Sequence, residues 1–485
     1  MSRACERIAE LEAALSERDA RIAEQNARIA EQDARIAELT KQVERLSGLL
    51  GQNSSNSSKP PSSDKGKNPH RNAAKGKNRS GKKQGGQKGH RGHHRELLPE
   101  ELVDAFHDIH PETCACCGER IAERSDRDPT RHQVTELPER LARTDEYRLH
   151  WGRCGCGHET RAELPDGVPS GAFGERLVVA VGLLTGLYRL SKRNARRLFA
   201  ELFGVEISEA TISSCEHRVS QALAEPHKRL HRHIKRVGLV HADETSWRER
   251  NEGCWLWVAC TSMVAFFLVQ TRRTGDAAKK LLGNAAARAA VLVTDRLGSY
   301  NWWPGPRQVC WAHVTRTLQS LAESKEGSPA HRYGTALLAK KNRMFEWWHR
   351  VRDGTLQHAT FRRYMAPLIA EFEQLLDDAA VCGCLKTQGK AQALLDDWEG
   401  LWTFVRVPGV PPTNNQAERD LRHAVILRGL SHGTQSTRGS RFIERILSTV
   451  ETLRKQQRGV LPFLEDALRA HESGSIAPSL LPRAA

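Results

Sequence analysis

Three acidic residues stand where their surroundings allow chemistry. Asp243 ends an apolar run, Val237-Gly-Leu-Val-His-Ala. Asp295 ends another, Ala290-Val-Leu-Val-Thr. Glu418 lies within TNNQAERDLR, residues 413–422. An acid at the end of a buried strand is held rigidly, and two such strands side by side bring their carboxylates close. Three carboxylates make a site for a hard divalent cation, Mg²⁺ or Mn²⁺, because such ions take oxygen ligands. Two ions about 4 Å apart would serve the attacking and leaving oxygens of an in-line displacement at phosphorus, with no covalent enzyme intermediate.

A second set of residues is thiols. Cys114-Ala-Cys116-Cys117-Gly and Cys154-Gly-Cys156-Gly-His158 are two knuckles, each turning at glycine. Their spacing suits tetrahedral zinc. Cys114, Cys117, Cys154 and Cys156 are the expected ligands, with Cys116 and His158 as substitutes. A thiolate set leaves no open position, so this Zn²⁺ is structural. Val134, Leu137, Leu141, Tyr147, Leu149 and Trp151 between the knuckles are expected to form strands of a small ribbon.

The elements that must position the acids follow from pattern. Strands are expected at 237–245, at Trp255 to Cys260 and at Val264 to Gln270, then a helix from Asp276 to Leu282 and a buried strand ending at Thr294. Pro411-Pro412 blocks upstream helix, and Thr413 with Gln416 matches a capping box. Glu418 then shares a helix face with Leu421, Arg422 and Val425, and the apolar pair is expected to pack on the sheet. Between Asp295 and Glu418 the stretch from Trp311 to Trp402 is helix-like, which is far more chain than one strand-to-helix link needs.

The rest of the chain looks built to meet a polyanion. It has 485 residues, 74 Lys and Arg against 58 Asp and Glu, and a net charge of +16. Twelve of those cations and a single acid lie between Lys59 and Arg95, in a stretch almost without apolar residues. Such a segment cannot bury a core and is expected to be disordered. As an arm it can neutralise phosphates, with Lys82, Lys83, Lys88 and Arg91 among the contacts. Before it, residues 8–50 carry apolar residues seven apart at Ile8, Leu15, Ile22, Ile29, Ile36, Val43 and Leu50. That is a coiled-coil seam, and it predicts a homo-oligomer. After the cysteines, Ser191 and Ser208 can cap two helices joined at Gly204, the spacing of a helix-turn-helix with Arg196 and Arg197 on its first helix. No apolar run approaches the roughly 20 residues of a membrane span, and the N-terminus is not a signal peptide. The expected setting is the cytoplasm, on the nucleoid, with DNA as partner and no membrane.

These residues together resemble a known family. NSSNSSKPPSSD (53–64), GGQKGHRG (85–92), HADETSWR (241–248), TDRLGSY (294–300), CWAHVTR (310–316), TNNQAERDLR (413–422) and GTQSTRGSRFIERIL (433–447) are similar to the transposases of the insertion-sequence sixty-six family, mobile elements of bacteria. The resemblance implies a DDE enzyme in which Asp243, Asp295 and Glu418 are the first, second and third acids, with Arg422 beside the last. It implies a ribonuclease-H-like core interrupted by a helical insertion, and suggests accessory proteins of the same element. Cys310 and His313 match a Cys-x-x-His element of that insertion. With only two ligating side chains, packing or DNA positioning is the expected role. Arg428-Gly429 stands where the family usually has Arg-Lys.

The expected class is therefore multidomain α+β. The segments are a coiled coil (1–50), a basic disordered linker (51–96), a zinc-binding unit (97–165) and helix-turn-helix-like helices (166–232). The first part of the core (233–309), the helical insertion (310–410), the C-terminal core helices (411–470) and a tail (471–485) complete it. The alternative is a non-catalytic, zinc-containing DNA-binding regulator or a domesticated transposase remnant, against which the retained acids argue.

Overall fold

The computed structural model describes residues 2–50, 96–122, 127–283 and 290–482. The fold is mixed α+β and divides into two compact units. One lies mainly within Ala224–Val460, the other within Ala73–Leu223 and Leu461–Pro478. Helix α1, Ser2–Leu50, precedes both in sequence. Its heptad side chains Leu15, Ile22, Ile29 and Ile36 are exposed. The basic arm lies outside the described residues.

In the second unit the cysteine region holds one short hairpin, β1 (Trp151–Arg153) and β2 (Glu159–Arg161), paired antiparallel. Among the described residues expected to form strands between the knuckles, only Trp151 lies in one, β1; Val134, Leu137, Leu141, Tyr147 and Leu149 do not. Val134, Leu137 and Tyr147 are exposed and build no core there, whereas Trp151, although exposed, is paired with Arg161 in the hairpin. Beyond it lie α2 (Glu175–Gly186), α3 (Lys192–Phe203) and α4 (Glu209–Ala222). Ser191 Oγ accepts the N–H of Asn194, and Ser208 Oγ that of Thr211. Gly204 ends α3 in the left-handed region, at φ 64°. The buried stripe of α4 is Ile212, Cys215 and Val219, as its spacing predicts.

The first unit begins with α5, Ala224–Ile234, and continues into a five-stranded sheet. Its strands are β3 (Leu239–Glu249), β4 (Glu252–Cys260), β5 (Ala265–Gln270), β6 (Val291–Thr294) and β7 (Arg307–Val309). The order is β5-β4-β3-β6-β7. The first three form an antiparallel meander, while β6 runs parallel to β3 and β7 parallel to β6. Helix α6, Gly275–Leu282, lies in the crossover between β5 and β6.

Strand β3 does not end at Asp243, as its apolar run suggests. It continues to Glu249, because β4 pairs with it as far as Glu249↔Glu252. Arg250 and Asn251 turn the hairpin with both φ angles positive, 52° and 66°. Paired left-handed residues match the twist of a two-residue hairpin.

Six helices follow β7: α7 (Trp311–Ala322), α8 (Pro329–Arg352), α9 (His358–Ala380), α10 (Leu385–Leu395) and the short α11 (Trp398–Leu401) and α12 (Thr403–Arg406). Their aromatic core includes Trp311, Phe361, Phe372, Trp402 and Phe404, and it runs without a break into Val291, Val293 and Val309 of the sheet. The insertion is thus seated on one sheet face by apolar burial.

Helices α13 (Asn415–Ser431) and α14 (Thr437–Lys455) close the unit, and α15 (Val460–Glu472) belongs mostly to the other. Helix α14 covers the open edge of β5. Thr452 Oγ1, Ser448 Oγ and Glu444 Oε1, four residues apart on one helix face, accept the N–H groups of Ala265, Phe267 and Val269 at 3.0, 2.9 and 2.7 Å. An edge strand otherwise leaves such donors unpaired. Gly433, at φ 104°, lets the loop before α14 run against β3, where a side chain would strike the carbonyl of Arg248. There Thr434 N–H bonds Arg248 O, and Arg250 N–H bonds Thr434 O, both at 2.9 Å.

Candidate functional site

Strands β3 and β6 bring the first two acids together. Their parallel register is Leu239↔Val291, Val240↔Leu292 and His241↔Val293. Two residues further along the same register, Asp243 comes level with Asp295. A carboxylate oxygen from each of Asp243, Glu244 and Asp295 lies within 4.8 Å of the others. Asp243 Oδ1 accepts the N–H of Glu244 and Asp295 Oδ1 that of Leu297, both at 2.9 Å. Those bonds orient each carboxylate and leave its second oxygen for another partner. Burial, then the charges of Glu244 and Asp295, raise the Asp243 pKa well above its ordinary value. Desolvated, crowded carboxylates of this kind favour a cation. The all-oxygen donor set fits a hard divalent ion.

Glu244 has a different environment from its neighbour. Its side chain is fully buried. Oε1 accepts Nε and Nη2 of Arg273 at 2.9 and 2.6 Å, and Oε2 accepts the hydroxyl of Tyr300 at 2.6 Å. Arg273 lies over the Trp255 ring, 4.7 Å from its centroid, and its carbonyl accepts Ser299 Oγ. The loop carrying Asp295 is thereby tied to β3 through Tyr300 and to the β5–α6 connection through Ser299. On the other side, Arg296 bonds Asp397 at 2.6 Å and the carbonyl of Ala393, which ties the loop to the insertion.

Glu418 lies in the first turn of α13. It is close enough for its charge to add to the rise in the Asp243 pKa. Its tight neighbours are Cys310 and His313, and the three ligand atoms lie within 4.8 Å of one another. The capping box expected from Thr413 and Gln416 is not formed. Asn414 is the N-cap and makes no side-chain cap bond. Its amide is engaged by β3 instead. Oδ1 faces His241 Nδ1 at 3.1 Å and Nδ2 donates to Ala242 O at 2.8 Å. The helix face turned inward is Ala417, Asp420, Leu421, Ala424 and Leu427. Val425, expected to share it, is exposed at 38%. The inward stripe is set by contact with both β3 and β4, which is wider than one apolar pair. Asp420 adds an ion pair to Lys455 of α14 at 2.9 Å.

The thiols remain as two separate knuckles. Among the described residues, neither group of three or more ligating side chains includes them. Each knuckle alone has the expected local form. Backbone N–H groups of Cys117 and Cys116 point at the Cys114 sulfur, and that of Cys156 at Cys154, which lowers both thiol pKa values. Gly118 N–H bonds Cys114 O and Gly157 N–H bonds Cys154 O. Arg196 and Arg197 are exposed on α3, and Arg422 is exposed on α13. Lys82, Lys83, Lys88 and Arg91 lie outside the described residues. The pattern reading missed His241, Arg273, Tyr300 and Asn414, whose roles appear only in partners far along the chain. HADETSWR, TDRLGSY and TNNQAERDLR already contained three of them, His241, Tyr300 and Asn414.

A five-stranded mixed sheet with paired acids at adjacent strands, and a third beside them on a helix, defines a protein with a candidate divalent-cation site. More than half of the chain, residues 178–441, matches the Transposase IS66 family. The chain belongs to that family. Residues 12–96 match a family of unknown function, DUF6444. An uncharacterized protein of Sinorhizobium fredii, y4hP, is 21% identical over 396 residues, spanning 74% of this chain and 70% of that protein. Among the described residues no helix is long and apolar enough to cross a membrane.

Proposed function

We propose that this transposase binds the terminal inverted repeats of a bacterial insertion sequence and carries out Mg²⁺-dependent strand cleavage and strand transfer with Asp243, Asp295 and Glu418. The reading takes the sheet as a ribonuclease-H-like core split by the insertion. The observation that carries it is the juxtaposition of Asp243 and Asp295 across parallel strands, with Glu418 near enough to act on the charge of Asp243.

Bound divalent ions would supply charge neutralisation for the attacking and leaving oxygens of an in-line displacement. The protein's part is positional. Asp243 and Asp295 project from paired strands and hold their oxygens in a fixed relation. Glu418 approaches from α13, which Asn414 anchors to β3. The Arg273–Glu244–Tyr300 group keeps the Asp295 loop in place and keeps Glu244 out of cation binding. Exposed Arg196, Arg197 and Arg422, with the cations of the arm, face the phosphates of DNA. The zinc reading keeps Cys114, Cys117, Cys154 and Cys156 as structural ligands. The heptads of α1 pair two or more copies, as needed to hold two element ends together.

The direct test is Asp243→Asn. It should abolish Mg²⁺-dependent nicking of end DNA and leave end binding largely intact. A variant that still nicks would remove Asp243 from the site.

A further inference from the structure

The residues at the start of the insertion form a second ligating group. Cys310 is the N-cap of α7 and His313 lies in its first turn. With a Glu418 oxygen, their ligand atoms lie within 4.8 Å of one another, and Glu418 is 105 and 108 residues along the chain from His313 and Cys310. The group is poorly satisfied by the protein itself. His313 Nδ1 is buried with no hydrogen-bond partner. The Cys310 sulfur is buried and accepts the N–H of Asn414 at 3.1 Å, while burial pushes its thiol pKa up to about 11.

The donor chemistry differs from that at Asp243 and Asp295. Sulfur, imidazole nitrogen and one carboxylate oxygen suit zinc-like cations, in the three-ligand form that keeps a fourth position open. Mg²⁺ prefers oxygen alone. We propose that Cys310, His313 and Glu418 bind a thiophilic divalent cation of the zinc class, and that this ion withdraws Glu418 from Asp243 and Asp295. The proposal rests on the reading of Glu418 as the third acid. Binding transfers the Cys310 thiol proton to solvent and forms a metal–thiolate bond, with no change of oxidation state. The consequence is a transposase that low zinc slows while Mg²⁺ is saturating.

The test uses the full chain, wild type against Cys310→Ser and His313→Gln. Zinc is counted by equilibrium dialysis, and Co²⁺ serves as a probe through its thiolate charge-transfer absorption. Because the two knuckles are common to all three proteins, differences report the new site. Each variant should bind one ion fewer per chain, and Cys310→Ser should lose part of the cobalt band. Nicking in Mg²⁺, scaled to each protein's own zinc-free rate, should need about tenfold more zinc for half-inhibition in both variants. Equal ion counts and equal zinc sensitivity in all three would overturn the proposal, and would leave the orphaned imidazole for a DNA phosphate. Glu418→Gln separates the two readings. If it still nicks, the catalytic assignment fails, while the ion count of Cys310→Ser still decides the metal site.

Discussion

Asn414 and His241 lie 173 residues apart in sequence and meet through a buried bond, Asn414 Oδ1 to His241 Nδ1 at 3.1 Å. The same amide donates to Ala242 O, and the Asn414 backbone N–H donates to Cys310. One residue therefore fixes the start of α13 against the strand that carries Asp243. Asn414→Ala would leave a buried imidazole and a buried carbonyl unpaired, which costs roughly 2–4 kcal/mol. Chemical denaturation should show that loss, and end cleavage should fall further than the folded fraction explains. Cleavage that simply tracks the folded fraction would mean that Asn414 stabilises the unit without setting Glu418.

Tyr300 tests the brace on the second acid. Tyr300→Phe removes the 2.6 Å bond to Glu244 and leaves Arg273 as its partner. Stability should drop by about 1–2 kcal/mol. The more telling change is a higher Mg²⁺ concentration for half-maximal nicking, because the Asp295 loop loses its tie to β3. An unaltered Mg²⁺ dependence would reduce Tyr300 to packing.

His227 on α5 gives a pH prediction away from the acids. It stacks on Phe266 with centroids 4.4 Å apart and bonds Phe267 O at 3.2 Å. Burial lowers its pKa to about 3, with Arg445, His231 and Arg441 adding to the effect. In the unfolded chain the imidazole takes up its proton near pH 6.5, and in the fold it resists until about 3. Its contribution is therefore intact above about pH 6.5 and is lost as pH falls through that window, at up to about 1.4 kcal/mol per pH unit. Carboxyls raised by burial, such as Glu451, have the opposite sign. The difference between wild-type and His227→Gln denaturation profiles isolates the imidazole, and the variant should lose less stability on acidification. Parallel profiles would contradict the assignment.

The arm is tested by salt. Deleting residues 59–95 removes twelve cations. Each phosphate contact contributes a slope of about −0.9 in log affinity against log salt. The deletion should bind end DNA more weakly and with a flatter slope. An unchanged slope would show that the arm does not touch phosphate.

Much of the candidate site was legible in sequence, for identifiable reasons. Asp243 and Asp295 stand out because parallel strands buried on both faces read as unbroken apolar runs, and an acid after one is conspicuous. The α3–α4 pair was legible through Ser191, Gly204 and Ser208, since caps and left-handed turns are local. What pattern could not show is non-local. Asp243 looks like a strand end, yet β3 runs on because β4 pairs with it. Thr413 and Gln416 fit a cap that tertiary bonding to Asn414 displaces. Val425 fits the helix period, but the surface α13 covers is wider than its apolar stripe. Glu244 reads as one more acid beside Asp243, and only Arg273 and Tyr300 mark it as spoken for.

Asp243, Asp295 and Glu418, from β3, the end of β6 and α13, are proposed to form one catalytic site. That assignment is tested most directly by single-turnover nicking of a duplex bearing the element's end, in Mg²⁺, with wild type, Asp295→Asn and Glu418→Gln at matched DNA occupancy. Each substitution should slow nicking by at least about a hundredfold. Nicking by either variant at the wild-type rate would contradict the assignment.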